Sequence, residues 1–205
     1  MFRTLKFYTF CIFALCVGVA AQSPEPSVDN SAVPSFFDQV VAQIDAGSID
    51  AGSAFRLEQT FRLSKNGFID PDSKTVVSSS GDERLVKIAA DGIDVTDRAG
   101  YFQYLRGFAE SDIRVVVGQD DTNFSFAIVL ETETKTRALA MRSTFDLGVR
   151  LALHRKEEDA AAGKPVNPFE LQLLKSYSSS ADEKLWTISF RIPKSEFLTM
   201  IREYR

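Results

Sequence analysis

A chain of 205 residues suits one domain better than two, and at this length folding buries about 70% of the surface the unfolded chain exposes. With 28 acids against 24 bases, a net charge of −4, it lacks the basic footprint that general nucleic-acid binding requires. One histidine and two cysteines are too few to build a transition-metal cluster.

The N-terminus is a composite signal. Met1–Lys6 carries Arg3 and Lys6, an apolar run follows from Phe7 to Val19, and small residues close it as Val19-Ala20-Ala21 before Gln22. A basic start, a greasy middle and a small-x-small exit describe a secretory signal peptide cleaved after Ala21. The run, about 13 to 15 residues, is shorter than a membrane-spanning helix needs. Cys16 follows a bulky Leu15, which argues against a lipoprotein cleavage site. Both cysteines, Cys11 and Cys16, lie in this segment, so residues 22–205 hold no disulfide and depend on an apolar core. Removing Arg3 and Lys6 leaves a net charge near −6. The expected location is exported, periplasmic or extracellular.

Residues 22–53 read as a tether with a short helix: Pro24 and Pro26 lie among Ser, Asp and Asn, and Pro34 opens a helix carrying Phe36, Phe37, Val40, Val41 and Ile44. Residues 54–205 form a single domain. Its cleanest strand alternates Phe55, Leu57, Phe61 and Leu63 with Arg56, Glu58, Thr60 and Arg62, with Gln59 on the apolar side. Asn66-Gly67 signals a turn, and Lys74–Ser79 a return strand. Ser80-Gly81-Asp82 introduces a helix with Leu85, Ile88 and Ala89 on one face, expected to stop at Gly92. A second short helix follows over Ala99–Phe108. Ile113–Val117 and Phe124–Leu130 make another hairpin around Asp120–Asn123. A long helix is expected from Thr134 to Arg155, a polar loop over Glu157–Val166, and a helix over Phe169–Tyr177 capped by Asn167. Trp186, Ile188, Phe190 and Ile192 alternate with Thr187, Ser189 and Arg191 in a last strand, followed by a helix with Phe197, Ile201 and Tyr204. The order predicts an α+β fold, a largely antiparallel twisted sheet of about five strands with helices packed on one face, built from hairpin–helix units in tandem.

The search for chemistry is mostly negative. His154 stands beside Arg155 and Lys156 near a helix end with no Gly-x-Ser-x-Gly elbow to serve, so a solvated residue is the simpler account. The pairs Asp70/Asp72, Asp94/Asp97 and Asp120/Asp121 lack the spacing of a calcium loop. Ser78-Ser79-Ser80-Gly81-Asp82 lacks the Gly spacing and Lys of a phosphate loop and reads as a helix cap, Ser80 to Glu83. The long helix is basic, with Lys135, Arg137, Arg142, Arg150, Arg155 and Lys156 against Asp146. No catalytic residue, metal or cofactor is expected, although an acid pair serving a hydrolase stays open. The polar sides of the first and last strands, Arg56, Glu58 and Arg62 with Thr187, Ser189 and Arg191, are the candidate partner-binding residues.

The stretch FRLEQTFRLSKNGFIDPDSKTVVSSSGDERLVKIAADGI, Phe55 to Ile93, resembles the C-terminal domain of TonB-type energy transducers. With DIRVVVGQDD and the closing FRIPKSEFLTMIR, residues 55–205 resemble uncharacterised bacterial envelope proteins of that kind. The resemblance implies a periplasmic protein-binding domain. A force-transducing member also has an uncleaved anchor with a histidine and a long Pro/Lys-rich spacer; here the apolar segment has no histidine and the tether two prolines. The expectation is therefore a non-enzymatic envelope module that binds a protein or polymer, with any membrane contact made through the N-terminal segment if that is kept. The alternative is a small-molecule or lipid binder with a pocket between helices and sheet.

Overall fold

A computed structural model of the chain describes residues 29, 31–108 and 111–203. The expected signal peptide and Tyr204 lie outside the described residues. Strand β1, Phe55–Phe61, shows why a sheet forms with one greasy side: Phe55, Leu57, Gln59 and Phe61 are buried, while the intervening side chains stay accessible. It pairs antiparallel with β2 (Thr75–Gly81) on one side and β3 (Ile113–Gln119) on the other. Strands β4 (Asn123–Glu131), β5 (Tyr177–Asp182) and β6 (Leu185–Pro193) complete one six-stranded sheet in the order β2-β1-β3-β4-β6-β5. Every neighbour pair is antiparallel. The fold is α+β.

Among the described residues, five α-helices accompany the sheet: α1 (Ala32–Asp45), α2 (Glu83–Arg98), α3 (Lys135–Ala161), α4 (Pro168–Ser176) and α5 (Lys194–Glu203). A 3-10 segment, Tyr101–Phe108, follows α2. The helices gather on the greasy side. Leu85, Ala89 and Ile93 of α2 share a core with Leu57, Phe61 and Val115, and Phe145 and Val149 of α3 share it with Trp186 and Ile188. The Phe145 and Trp186 rings meet edge-on at 5.3 Å, and Phe197 of α5 stacks on Phe124 of β4 at 3.8 Å. Helix α1 packs through Val40 and Val41 in a smaller cluster with Ile201 of α5. Each large side chain fully buried in these layers contributes about 1.5–3 kcal/mol, so the apolar interior can hold the body together without a covalent staple.

The structure departs from expectation in four places. Helix α2 runs through Gly92 to Arg98, because Ile93 and Val95 beyond the glycine are buried and their packing outweighs the cost of a glycine inside a helix. Its cap is Asp82, whose carboxylate accepts from the amides of Arg84 and Leu85, and not Ser80, which is still in β2. The corner between them needs Gly81: its φ is +86°, and a Cβ there would sit 2.2 Å from the Ala54 carbonyl oxygen. Helix α3 continues past Arg155 to Ala161, since Glu157, Glu158, Asp159 and the alanines after them are compatible with helix and nothing breaks it before Gly163. Last, Tyr177–Asp182 is an edge strand, so the final strand–helix unit is a third hairpin–helix.

The stretch between α1 and β1 is also tied to the body. Ile49 is buried in the core, and the Gln119 amide donates at 2.8 Å to the carbonyls of both Ala51 and Ser53.

Candidate functional site: the open face of the sheet

Because a strand's side chains alternate, every residue one step off the core points to the face the helices leave uncovered. All six sequence-derived candidates fall there, though not together. Arg56 and Glu58 stand on β1 with Arg62 just beyond it, and Thr187, Ser189 and Arg191 stand on β6; β3 and β4 run between. The registers set Arg56 in one row with Gly118, Ser125 and Arg191. Three strand spacings, about 14 Å, therefore separate the two arginines. The next row runs Ser78, Glu58, Val116, Ala127, Ser189 and Ser178, and the third Thr75, Thr60, Arg114, Val129, Thr187 and Ser180.

The face thus has a middle of small residues and a polar surround. Val116, Gly118, Ala127 and Val129 form that middle, which sequence reasoning did not find. Val115-Val116-Val117 and Phe126–Leu130 are continuous apolar runs, so neither shows the alternation that exposes a face. Arg114 was missed for the same reason. Gly118 keeps the floor low beside Arg56: a Cβ would lie 3.0 Å from the Phe55 carbonyl oxygen.

Charge on the face is paired loosely. Arg56 donates to Glu58 at 3.2 Å, and Arg114 reaches the other oxygen of Glu58 at 3.7 Å, two cations on one acid. Arg62 stands 3.9 Å from Asp112, and Arg191 3.6 Å from Asp120. The amides of Thr122 and Asn123, with the Thr122 hydroxyl, hold the Asp120 carboxyl down at about 2. Asp120 is therefore charged at any physiological pH. Exposed pairs of this kind contribute about 0–1 kcal/mol each, so the arginines are available to an incoming acidic group at little cost.

The two edges of the sheet differ. All seven residues of β2 are exposed, none is charged, and Val76 and Val77 are more than half exposed. One register shift against Glu58/Gln59 bends it. Strand β5 instead tucks alternate residues under α3, where the Tyr177 hydroxyl donates to Asp146 at 2.8 Å.

The other candidates stay apart from one another. His154 lies on the exposed side of α3, 3.3 Å from Glu158. Lys74 is ion-paired with Asp94, and Asp97 accepts from the Ile69 amide at 2.8 Å. Burial raises the Asp97 carboxyl above its ordinary value, opposed in part by that amide. Among the described residues, no group of three or more His, Cys, Asp or Glu is placed to hold a metal ion. A groove of about 360 Å³ lies between α1 and α2, with Phe36, Val40 and Ile88 beside Gln39, Asp91 and Arg98. The helix–sheet interface itself is occupied by Phe61, Ile113, Leu130 and Ile188, none with measurable exposure. Among the described residues, no helix is long and apolar enough to cross a membrane.

Comparison with protein-family models, curated proteins and solved structures finds no match for this chain.

Proposed function

We propose that this is a non-enzymatic exported protein of the cell envelope that binds another protein or a polymer through the open face of its sheet. The observation that carries the proposal is that face itself. Helices cover the sheet on one side only, leaving the edge strand β2 exposed, and the other side offers a low apolar middle bordered by Arg56, Arg114 and Arg191. A flat surface with small residues at its centre and arginines around it suits a broad partner better than a small molecule, which needs enclosure. The uncovered β2 adds an edge on which an extended segment can pair. Export rests on the basic, apolar and small-residue succession of residues 1–21, and a relation to TonB-type C-terminal domains on the quoted segments.

Affinity capture from envelope extracts tests the proposal, using the chain from Gln22 and the paired variant Arg56→Glu with Arg191→Glu. The expected result is a stoichiometric protein or polymer partner held by the wild type and lost by the variant. Equal recovery by both would refute the open face as the binding surface. Recovery of small metabolites alone, lost when the α1–α2 groove is filled by Gln39→Trp, would favour a small-molecule binder instead.

A further inference from the structure

The two edge strands of the sheet are held in different ways. In β5 the Tyr177 hydroxyl donates to Asp146 of α3, the Ser179 hydroxyl accepts from the Trp186 indole at 3.1 Å, and alternate residues are partly buried. In β2 all seven residues are exposed. Among the described residues, no side chain from Thr75 to Ser80 takes part in a hydrogen bond, ion pair or ring contact. The main-chain ladder to β1 is what holds this strand. That ladder is interrupted by the register shift opposite Glu58 and Gln59, where Val77 has no partner. A strand that contributes no buried side chain to the core opens at a small fraction of the free energy of global unfolding.

The ends of β2, by contrast, are fastened. After it, Gly81 sits against the Ala54 carbonyl, the Asp82 amide donates to that carbonyl at 3.1 Å, and the Asp82 carboxylate caps α2. Letting go there would unravel the first turn of the helix. Before it, the Ser73 hydroxyl accepts from the Arg62 amide at 2.8 Å, and Lys74 is ion-paired with Asp94 of α2. Both partners of that pair are partly exposed, so this is the weaker fastening. An extended strand has little slack: seven residues at about 3.3 Å each cannot bow far outward while both ends stay fixed. It leaves β1 only when Lys74 lets go, and the 3-10 turn Pro71–Ser73 just before it yields length as it unwinds.

We propose that β2 is a strap over the outer edge of β1, latched by Lys74 on Asp94 and pivoting at Gly81, which opens as a unit while the rest of the sheet stays folded. Gly81 suits the pivot, because its φ of +86° is a conformation that other residues avoid. Opening bares the main chain of β1 from Arg56 to Thr60, an edge on which an extended segment can pair in place of β2. The opening itself needs no partner, so it is tested apart from the function proposed above.

Amide hydrogen exchange of the protein, read residue by residue by nuclear magnetic resonance, is the test. Along β1 the amides alternate, one set directed at β2 and the other at β3. The β2-directed set, together with the amides of β2 that donate to β1, should exchange about a hundredfold faster than the β3-directed set. Strand β5, equally at an edge, should keep its β6-bonded amides about tenfold slower than those of β2. Lys74→Gln should speed the strap amides a further two- to fivefold or about that, and leave the β3-directed set unchanged. Lys87→Gln, which removes an exposed pair with Asp91 within α2, should change neither set. Equal exchange of the two β1 sets, or of β2 and β5, would overturn the strap. A Lys74→Gln variant in which every amide speeds alike would overturn the latch, because the pair would then be supporting the whole fold.

Discussion

The two faces of the sheet are made by the same strands, from residues one position apart, yet they obey different rules. On the covered face, Leu57, Val115, Ile128 and Ile188 are large, branched and buried. Next to them on the open face stand Glu58, Val116, Ala127 and Ser189, smaller or charged and only half-buried. The first set is chosen by packing, where a lost methylene group is felt as a cavity. The second is free of that demand, so its flat apolar middle and arginine border need an explanation other than stability.

The comparison makes ordered predictions. Trp186→Ala, on the covered side, should cost about 3–5 kcal/mol in denaturant unfolding, because it empties the space against Phe145 and removes the donor to the Ser179 hydroxyl. A cost below about 1 kcal/mol would mean that the two faces are not as different as described. Gly81→Ala, at the corner where β2 turns into α2, should cost about 2–4 kcal/mol, strain at positive φ adding to a clash with the Ala54 backbone.

Asp97 gives a smaller effect with a sign. Its folded value is raised, so burial disfavours the carboxylate; stability falls as pH rises from the ordinary carboxylate value through the raised one, and is recovered on acidification through the same window. Asp97→Asn keeps the acceptor for Ile69 and should flatten that dependence without loss at neutral pH. Asp97→Ala orphans the amide and should cost about 1–2 kcal/mol at every pH. Thermal melts of the three proteins between pH 3 and 7 separate these outcomes. Smallest of all, Thr187→Ala and Ser189→Ala on the open face should each change stability by less than about 0.5 kcal/mol.

The covered face was largely legible in the sequence and the open one only at its margins. Strands β1 and β6 announce themselves because Phe55/Leu57/Phe61 and Trp186/Ile188/Ile192 alternate with polar residues, which is the imprint of burial on one side. Strands β3 and β4 sit in the middle of the sheet, where neighbours shield even the open side enough for Val116, Ala127 and Val129, so the alternation vanishes there. Strand β5 was hidden for the opposite reason: at the edge, serines suffice, and Tyr177 and Ala181 are its only larger inward groups. Gly92 reads locally as a stop because a glycine inside a helix is costly by itself; the burial of Ile93 and Val95 beyond it, which carries the helix on, depends on partners distant in sequence. The strand order is likewise set by long-range pairs, β1 with β3 and β4 with β6, which no local pattern encodes.

The central claim, that the open face meets a partner, is tested most directly by a photo-crosslinking residue placed at Ser189 on that face and, as a control, at Lys87 on the exposed side of α2. Crosslinking in the living cell should give a discrete higher-mass adduct from position 189 and none from position 87. No adduct from 189, or the same adduct from both positions, would contradict it.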